Sequence, residues 1–422
     1  MRVTQGMLIR SYNKNLTRNI KTLADSNERL NSKRKFNRVS DDTAAAAKSF
    51  TIREQIYKNE IYLENATNAE GELSAAEDNI KGINDLFKTA MERLQEGISD
   101  TKDADQRKIL AEDIDNMAEQ VLKLINSRFS DKHIFGGSSN GQSPFVVGKD
   151  GHLEFNGQSV LLDKPFPENI ETYVDIGLGL KTKDGYVAMG KPTSTNAAAT
   201  ITSTGITQGT VDGNYTIDIT VDAGDPTKLN VVMKDSAGNA VGDPATINKG
   251  DKRFTVGGVT IFSDKEFADG EKLTVPVSKK PVVDPSSAFN PRTSGIDVIG
   301  CGINAKDGFP NNIYEVMKEI SSELKKDPKD TEKLSSLLTA AKDRQNNLIM
   351  SLTNVGTKTT FVRYNVDRLK AEEATLQKVR STIEDVNVEE ESIYNKVYES
   401  NWLITLQLGT KIIPPSIFDF MR

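Results

Sequence analysis

The polar and apolar positions of this chain fall into two textures. Toward the N-terminus, Leu16, Ile20, Leu23 and Leu30 recur at alternating steps of four and three residues, with Asn27 in the one polar slot. That is the spacing of a coiled-coil seam, a stripe too narrow to form a core alone. Near the other end the same spacing runs through Leu369, Leu376, Val379, Ile383, Val386, Ile393, Val397 and Ile404, interrupted by Glu373, Glu390 and Ser400. Helices in water are held mainly by packing an apolar face. Two such seams at opposite termini therefore predict helices that pack on each other or on neighbouring subunits.

Between the seams, Ile52, Ile56, Leu63, Leu73, Ile80, Ile83, Phe87 and Leu94 mark one side of a helix from Thr43 to about Gly97. At 1.5 Å per residue it is on the order of 75 Å long. "ISDTKDADQRKILAEDIDNMAEQVLKLINSRF" predicts a loop and then a helix carrying Leu110, Ile114, Met117, Val121 and Leu124, its Asp-rich start suited to the positive end of a helix dipole. "NIYEVMKEISSELKKDPKDTEKLSSLLTAAKDRQNNLIMSLTNVGTK" predicts two helices separated at Asp327-Pro328, because proline disfavours helical backbone in the residue before it.

From about Phe145 to Pro281 the period changes. "YTIDITVD", "KLNVVMKD", "RFTVGGVTIF" and "KLTVPVS" are short β-branched runs punctuated by Ala-Gly-Asp-Pro, Ser-Ala-Gly-Asn and Gly-Asp-Pro turns, which predicts a β domain inserted into a helical protein. "MGKPTSTNAAATITSTGITQGTVDG" is rich in Thr, Ala and Gly and leaves open a surface loop, a linker or an edge strand.

Composition narrows the function. The 422 residues suffice for two or three domains. With 54 Lys+Arg against 60 Asp+Glu the net charge is -6, so no global positive field draws in nucleic acid. No apolar run is long enough for membrane insertion, and the start "MRVTQGMLIRSYNKNL" lacks the apolar core of a secretory signal, so any export is expected by another route. The one cysteine, Cys301, has no disulfide partner within the chain and no histidine near it in sequence to activate it as a nucleophile. His133 and His152, without close-spaced companions, read as exposed turn histidines rather than metal ligands. "IFGGSSNGQ" has glycines but no phosphate-loop pattern and reads as a flexible exit from a helix. No catalytic, cofactor-binding or metal site is expected.

"NSKRKFNRVSDDTAAAAKSF" carries more information. Lys33, Arg34, Lys35 and Arg38 resemble a nucleic-acid patch in isolation, but Ser40, Asp41 and Asp42 follow at once. These three offer acceptors to the first free N-H groups of a helix beginning near Thr43, and their charge suits its dipole. The cluster is therefore expected to connect two helices, its cations exposed, and Ala44 to Ala47 give the second helix a first turn smooth enough for close approach of another backbone. Such an order of residues suits assembly better than catalysis.

Taken together, "MRVTQGM", "RLNSKRKFNRVSDDTAAAAKSF", "DTKDADQRKILAEDIDNMAEQVLKLINSRFSDKHIFGGSSNGQSPF" and the heptad-bearing C-terminus resemble the bacterial flagellin superfamily. "HIFGGSSNGQSPF" is similar to a "YLFGG…PF" signature of its hook-filament junction members, and the "TEFNG" type motif of filament flagellins is absent. The chain departs from the family where a usual glycine is replaced by Lys33 or its neighbour, and in a tail bearing Pro414-Pro415. The resemblance covers about residues 1–146 and 310–422.

It implies an α+β, multidomain fold: a long helical bundle and coiled coil built from both chain termini, with an inserted antiparallel β domain. Residues 1–42 and 381–422 are expected to form an assembly coiled coil that orders on assembly, 43–144 and 303–380 a helical core, and 145–302 a β-rich surface domain. The seams Leu16, Ile20, Leu23, Leu30 and Ile383, Val386, Ile393, Val397, Ile404 become the assembly interface. The implied function is that of a structural adaptor without enzyme activity, exported unfolded through the flagellar type III apparatus and located in the extracellular flagellum. The implied partners are copies of itself in a ring, the first hook-filament junction protein, flagellin, and an export chaperone on the C-terminal helix. The alternatives are a filament flagellin, an intracellular coiled-coil scaffold, and an enzyme hidden in the β insert.

Overall fold

A computed structural model describes residues 5–99, 102–137, 143–162, 173–188, 191–195, 199, 201–263, 265–284 and 287–412. Its helices are α1 (Gln5–Ser32), α2 (Thr43–Ile98), α3 (Ala104–Ile125), α4 (Gly295–Ile299), α5 (Ile313–Leu324), α6 (Thr331–Glu384) and α7 (Val388–Ile412). Long helices from both termini and a central antiparallel sheet make it an α+β, multidomain protein. The chain divides into two compact units, residues 1–63 with 367–422, and residues 64–366. The Pro414-Pro415 tail, the first four residues and residues 138–142 lie outside the described residues.

In the second unit the helices follow the apolar periodicity. On α2, Leu73, Ile80, Ile83, Phe87 and Leu94 are buried. α3 is capped by Asp103, whose carboxylate accepts from the Gln106 amide at 2.8 Å, and it buries Ile114, Met117, Val121 and Ile125. α5 packs on α3 with Ile313, Val316, Met317, Ile320 and Leu324 buried. Asp115 ties the two together, accepting from Lys318 at 3.0 Å, Ser321 at 2.8 Å and Lys325 at 2.6 Å. The break between α5 and α6 falls around Asp327-Pro328, where the missing proline N-H and its ring stop a helix.

The strands are β1 (Arg128–Phe129), β2 (Lys132–His133), β3 (Phe145–Val147), β4 (Leu153–Phe155), β5 (Gln158–Ser159), β6 (Thr182–Ala188), β7 (Thr193–Ser194), β8 (Ile201–Thr207), β9 (Gly213–Val221), β10 (Lys228–Lys234), β11 (Ala245–Asn248), β12 (Arg253–Val256), β13 (Val259–Ser263) and β14 (Lys272–Val283). The large sheet runs β11-β10-β9-β14-β6-β8-β13-β12, with β7 beside β14, and every pairing is antiparallel. Tyr215, Ile217 and Ile219 point into one core with Leu229, Val231, Met233, Leu273 and Val275. The alternate residue Asp218 instead pairs with Lys234 at 2.8 Å.

Three local expectations change. The Thr- and Gly-rich stretch contains β8, an interior strand between β6 and β13. Its weak alternation has a cause at Gly205 (φ +121), where a Cβ would lie 2.5 Å from the Gly258 carbonyl oxygen, so close backbone approach replaces side-chain packing. His133 is buried rather than exposed, its Nδ1 2.9 Å from the Asn126 carbonyl oxygen, because the β1–β2 turn folds back on the end of α3. Ile134 to Gly137, read as part of a flexible exit, are buried too.

Candidate assembly site at the chain termini

The first unit pairs α1 with α7, antiparallel, beside a junction where two helix breaks meet. α1 has no glycine or proline after Gly6 to interrupt it and ends at Ser32, just before Lys33, which takes φ 58. α6 ends at Glu384, so the C-terminal seam expected as one stripe is split over two helices by Asp385 to Asn387. The Val386 amide donates to the Lys33 carbonyl at 3.0 Å and the Lys35 amide to the Glu384 carbonyl at 2.7 Å. The Lys35 ammonium donates to the Thr382 carbonyl. Each break thus supplies the backbone partners that the other lacks.

Asp42 caps α2, its Oδ1 accepting from the Ala45 amide at 2.9 Å. Asp41 folds the connector instead, accepting from the Arg38 amide at 2.9 Å and the Asn37 amide at 3.2 Å. The Arg38 amide is the main cause of its lowered pKa. Lys33, Arg34, Lys35, Arg38 and Ser40 are all exposed. Ala46 on the smooth first turn is buried.

Behind the connector sits Glu384, a residue the apolar pattern gave no reason to select. Its Oε1 accepts from Ser49 Oγ at 2.6 Å and Arg53 Nε at 2.7 Å, and its Oε2 from Arg53 Nη2 at 2.7 Å. The Arg53 guanidinium, aided by Ser49, holds this carboxyl at a pKa of about 2 despite burial. One turn region of α6 is thereby fastened to the first turns of α2.

The face that α1 and α7 share is crossed by polar pairs. Asn19 Nδ2 donates to Thr405 Oγ1 at 2.7 Å. Asn395 Nδ2 donates to Ser26 Oγ at 3.2 Å and to Asn27 Oδ1 at 2.9 Å. Arg29 Nε and Nη2 donate to Glu391 Oε1 at 3.0 and 2.8 Å. Near the far end a Cβ on Gly409 would run into the Tyr12 ring. Tyr12, Asn19 and Ser26 share a heptad stripe with Leu16, Leu23 and Leu30, which are half-buried. On α7 the matching stripe is Glu391, Asn395, Tyr398, Trp402, Thr405 and Gly409, again at alternating fours and threes.

The structure therefore brings together only part of the two expected seams. Leu16, Leu23 and Leu30 lie on the stripe that faces α7. Ile20 lies off it and is 48% exposed. Ile383 and Val386 are half-buried at the helix break. Ile393, Val397 and Ile404 are 64%, 47% and 53% exposed, whereas Ser26, Glu391 and Thr405 are 0%, 8% and 9% exposed. α7 thus carries two heptad stripes roughly 140° apart at 100° per residue. One is polar and occupied; the other is apolar and open, and Leu408 extends it. The polar stripe was present in the sequence as a heptad of Glu, Asn, Tyr, Trp, Thr and Gly, visible only when polar residues are allowed at seam positions.

Comparison with known proteins adds a family likeness. Residues 4–140 match the family model of the bacterial flagellin N-terminal helical region. A search of curated proteins finds no match. Among solved structures, the chain is similar to FlgL of Xanthomonas campestris at 16% identity, with 78% of this chain and 99% of that one covered and a TM-score of 0.38. It is similar to flagellar hook-associated protein 3 of Legionella pneumophila at 15% identity, with 79% and 99% covered and a TM-score of 0.39. For FlgL of Bacillus cereus the identity is 13%, the coverage 78% and 99%, and the TM-score 0.38.

Proposed function

We propose that this chain, which carries a bacterial flagellin N-terminal helical region over residues 4–140, is a structural adaptor of the flagellar hook-filament junction, of the hook-associated protein 3 type. It is a structural protein and not an enzyme. Copies assemble into a ring through the terminal helices, contacting the first junction protein on the hook side and flagellin on the filament side. A chaperone covers the C-terminal helix before type III export. The three-part division expected from the sequence serves this role: terminal helices 1–42 and 381–422 for assembly, 43–144 and 303–380 as a helical core, and 145–302 as the β-rich surface domain.

The observation that carries the reading is the open apolar stripe Ile393, Val397, Ile404 on α7. Exposed apolar side chains aligned at heptad spacing gain most when a neighbouring helix covers them. The connector cations are exposed beside the break that precedes α7. The half-buried Leu16, Leu23 and Leu30 and the outlying Ile20 complete the N-terminal contribution.

The test is Ile393→Glu with Val397→Glu in the full chain. The monomer should keep its helix content and melting temperature, since both positions are exposed. Incorporation into flagella should be lost, with hooks retained and flagellin released into the medium. Normal filaments in the double variant would falsify the assembly role of this stripe. Deleting the gene separates the junction adaptor from a filament flagellin: loss of an adaptor leaves flagellin in the medium, and loss of a flagellin leaves none there. Absence of the protein from sheared flagella would favour an intracellular scaffold.

A further inference from the structure

α7 could seat α1 on either of its two stripes, and the one it uses is the less apolar. Asn19, Ser26 and Arg29 of α1 meet Thr405, Asn395 and Glu391 of α7 at three successive levels. α1 also brings Leu16, Leu23 and Leu30 to the same face. On hydrophobic grounds alone those leucines would gain more from Ile393, Val397 and Ile404. Covering that stripe needs only a turn of α7 about its own axis, by roughly 140°.

We infer that the three polar rungs are specificity-determining: they fix the rotation of α7 so that its apolar stripe faces outward. The physical basis is asymmetric cost. A correctly paired polar rung contributes little net stability, but a rotation that sets Asn19, Ser26 and Arg29 of α1 against Ile393, Val397 and Ile404 strands those polar groups without partners. Single polar residues at seam positions set register in coiled coils for the same reason. Tyr12 against Gly409 acts in the same sense, because the side chain of any other residue at 409 would strike the ring. This inference rests on the geometry of the α1–α7 pair and stands whether or not the chain is a junction adaptor.

Maleimide labelling of single cysteines in the purified full chain, in a Cys301→Ser background, reads which stripe is covered. Val397→Cys reports the outer stripe and Ser26→Cys the inner one. In the otherwise native protein, position 397 should label at least tenfold faster than position 26. Asn19→Leu with Arg29→Leu removes the two outer rungs of the three, from α1 only. It should slow labelling at 397 by about tenfold, as α7 turns its apolar side toward α1. Adding Thr405→Leu and Glu391→Leu to that variant should return 397 to fast labelling, and the charge exchange Arg29→Glu with Glu391→Arg, made in the otherwise native chain, should keep it fast. Unchanged rates in the α1-only variant would overturn the inference. So would fast labelling at both positions, which would mean that the rungs only hold the helices together. Failure of the rescue, or slow labelling at 397 in the charge exchange, would also count against it. None of these readouts depends on assembly, so they succeed or fail separately from the proposed function.

Discussion

The large sheet and the terminal helix pair bury opposite kinds of residue. In the sheet, Tyr215, Ile217, Leu229, Val231, Val259, Ile261, Leu273 and Val275 are fully enclosed. In the pair, Ser26, Glu391, Thr405 and Gly409 are enclosed, while Ile393, Val397 and Ile404 face outward. The sheet completes its own hydrophobic burial; the helix pair joins half-buried Leu16, Leu23 and Leu30 to directed hydrogen bonds and leaves the apolar stripe of α7 open. Burial of apolar area supplies most folding free energy, whereas a satisfied polar contact contributes about 1 kcal/mol net. The sheet should therefore be the more stable of the two, and the helix pair the one that rearranges or exchanges.

The largest expected effect tests the sheet side. Leu229→Ala removes a fully enclosed side chain from the shared core and should cost about 2–5 kcal/mol. Thermal unfolding followed at the tyrosines should show the loss, with Tyr215 in that core as the reporter. Ser26→Ala in the helix pair should cost about 1 kcal/mol. Equal losses for the two substitutions would break the comparison.

How much of this was legible in the sequence follows from which force dominates locally. The long helices read correctly because Leu73, Ile80, Ile83, Phe87 and Leu94 are periodic and pack inward. The hairpin strands read correctly because Tyr215 to Val221 alternate against a single core. β8 did not, since Gly205 serves backbone approach and leaves no apolar signal. The seams were half legible: Leu16, Leu23 and Leu30 lie on the stripe that faces α7 and Ile393, Val397 and Ile404 do not, because apolar periodicity says where a stripe lies, not whether this chain or another covers it. Glu384 and Arg53 were silent because 331 residues separate them, and no local pattern joins an ion pair across that distance.

Glu384 gives the next prediction, on the helix side. Its folded pKa of about 2 lies below the ordinary value of 4.5, so the unfolded chain binds its proton more readily. The stabilisation is present in full above about pH 4.5 and is lost as pH falls toward 2. A depression of this size corresponds to about 3 kcal/mol at neutral pH. Glu384→Gln should lower the stability of the first unit by that order and flatten its dependence on pH between 4.5 and 2. Hydrogen exchange at the Lys35 amide, which donates to the Glu384 carbonyl, is the direct measure. An unchanged acid transition in the variant would place the stabilising charge elsewhere.

The smallest effect sharpens the junction between the two helix breaks. Lys33 holds φ 58, a left-handed conformation that costs a residue with a Cβ roughly 1–2 kcal/mol. It follows the last residue of α1, where helices favour glycine. Its side chain is exposed, and the bond it makes to α7's start is through the backbone carbonyl to the Val386 amide at 3.0 Å. Lys33→Gly keeps that bond and removes the steric cost, offset in part by the extra freedom of glycine in the unfolded chain. The net gain should be about 0.5–1 kcal/mol, read as slower exchange of the Val386 amide. Lys33→Ala removes the same charge but retains a Cβ, so it should leave that amide unchanged. Equal protection in the two variants would assign the effect to charge and not to backbone conformation.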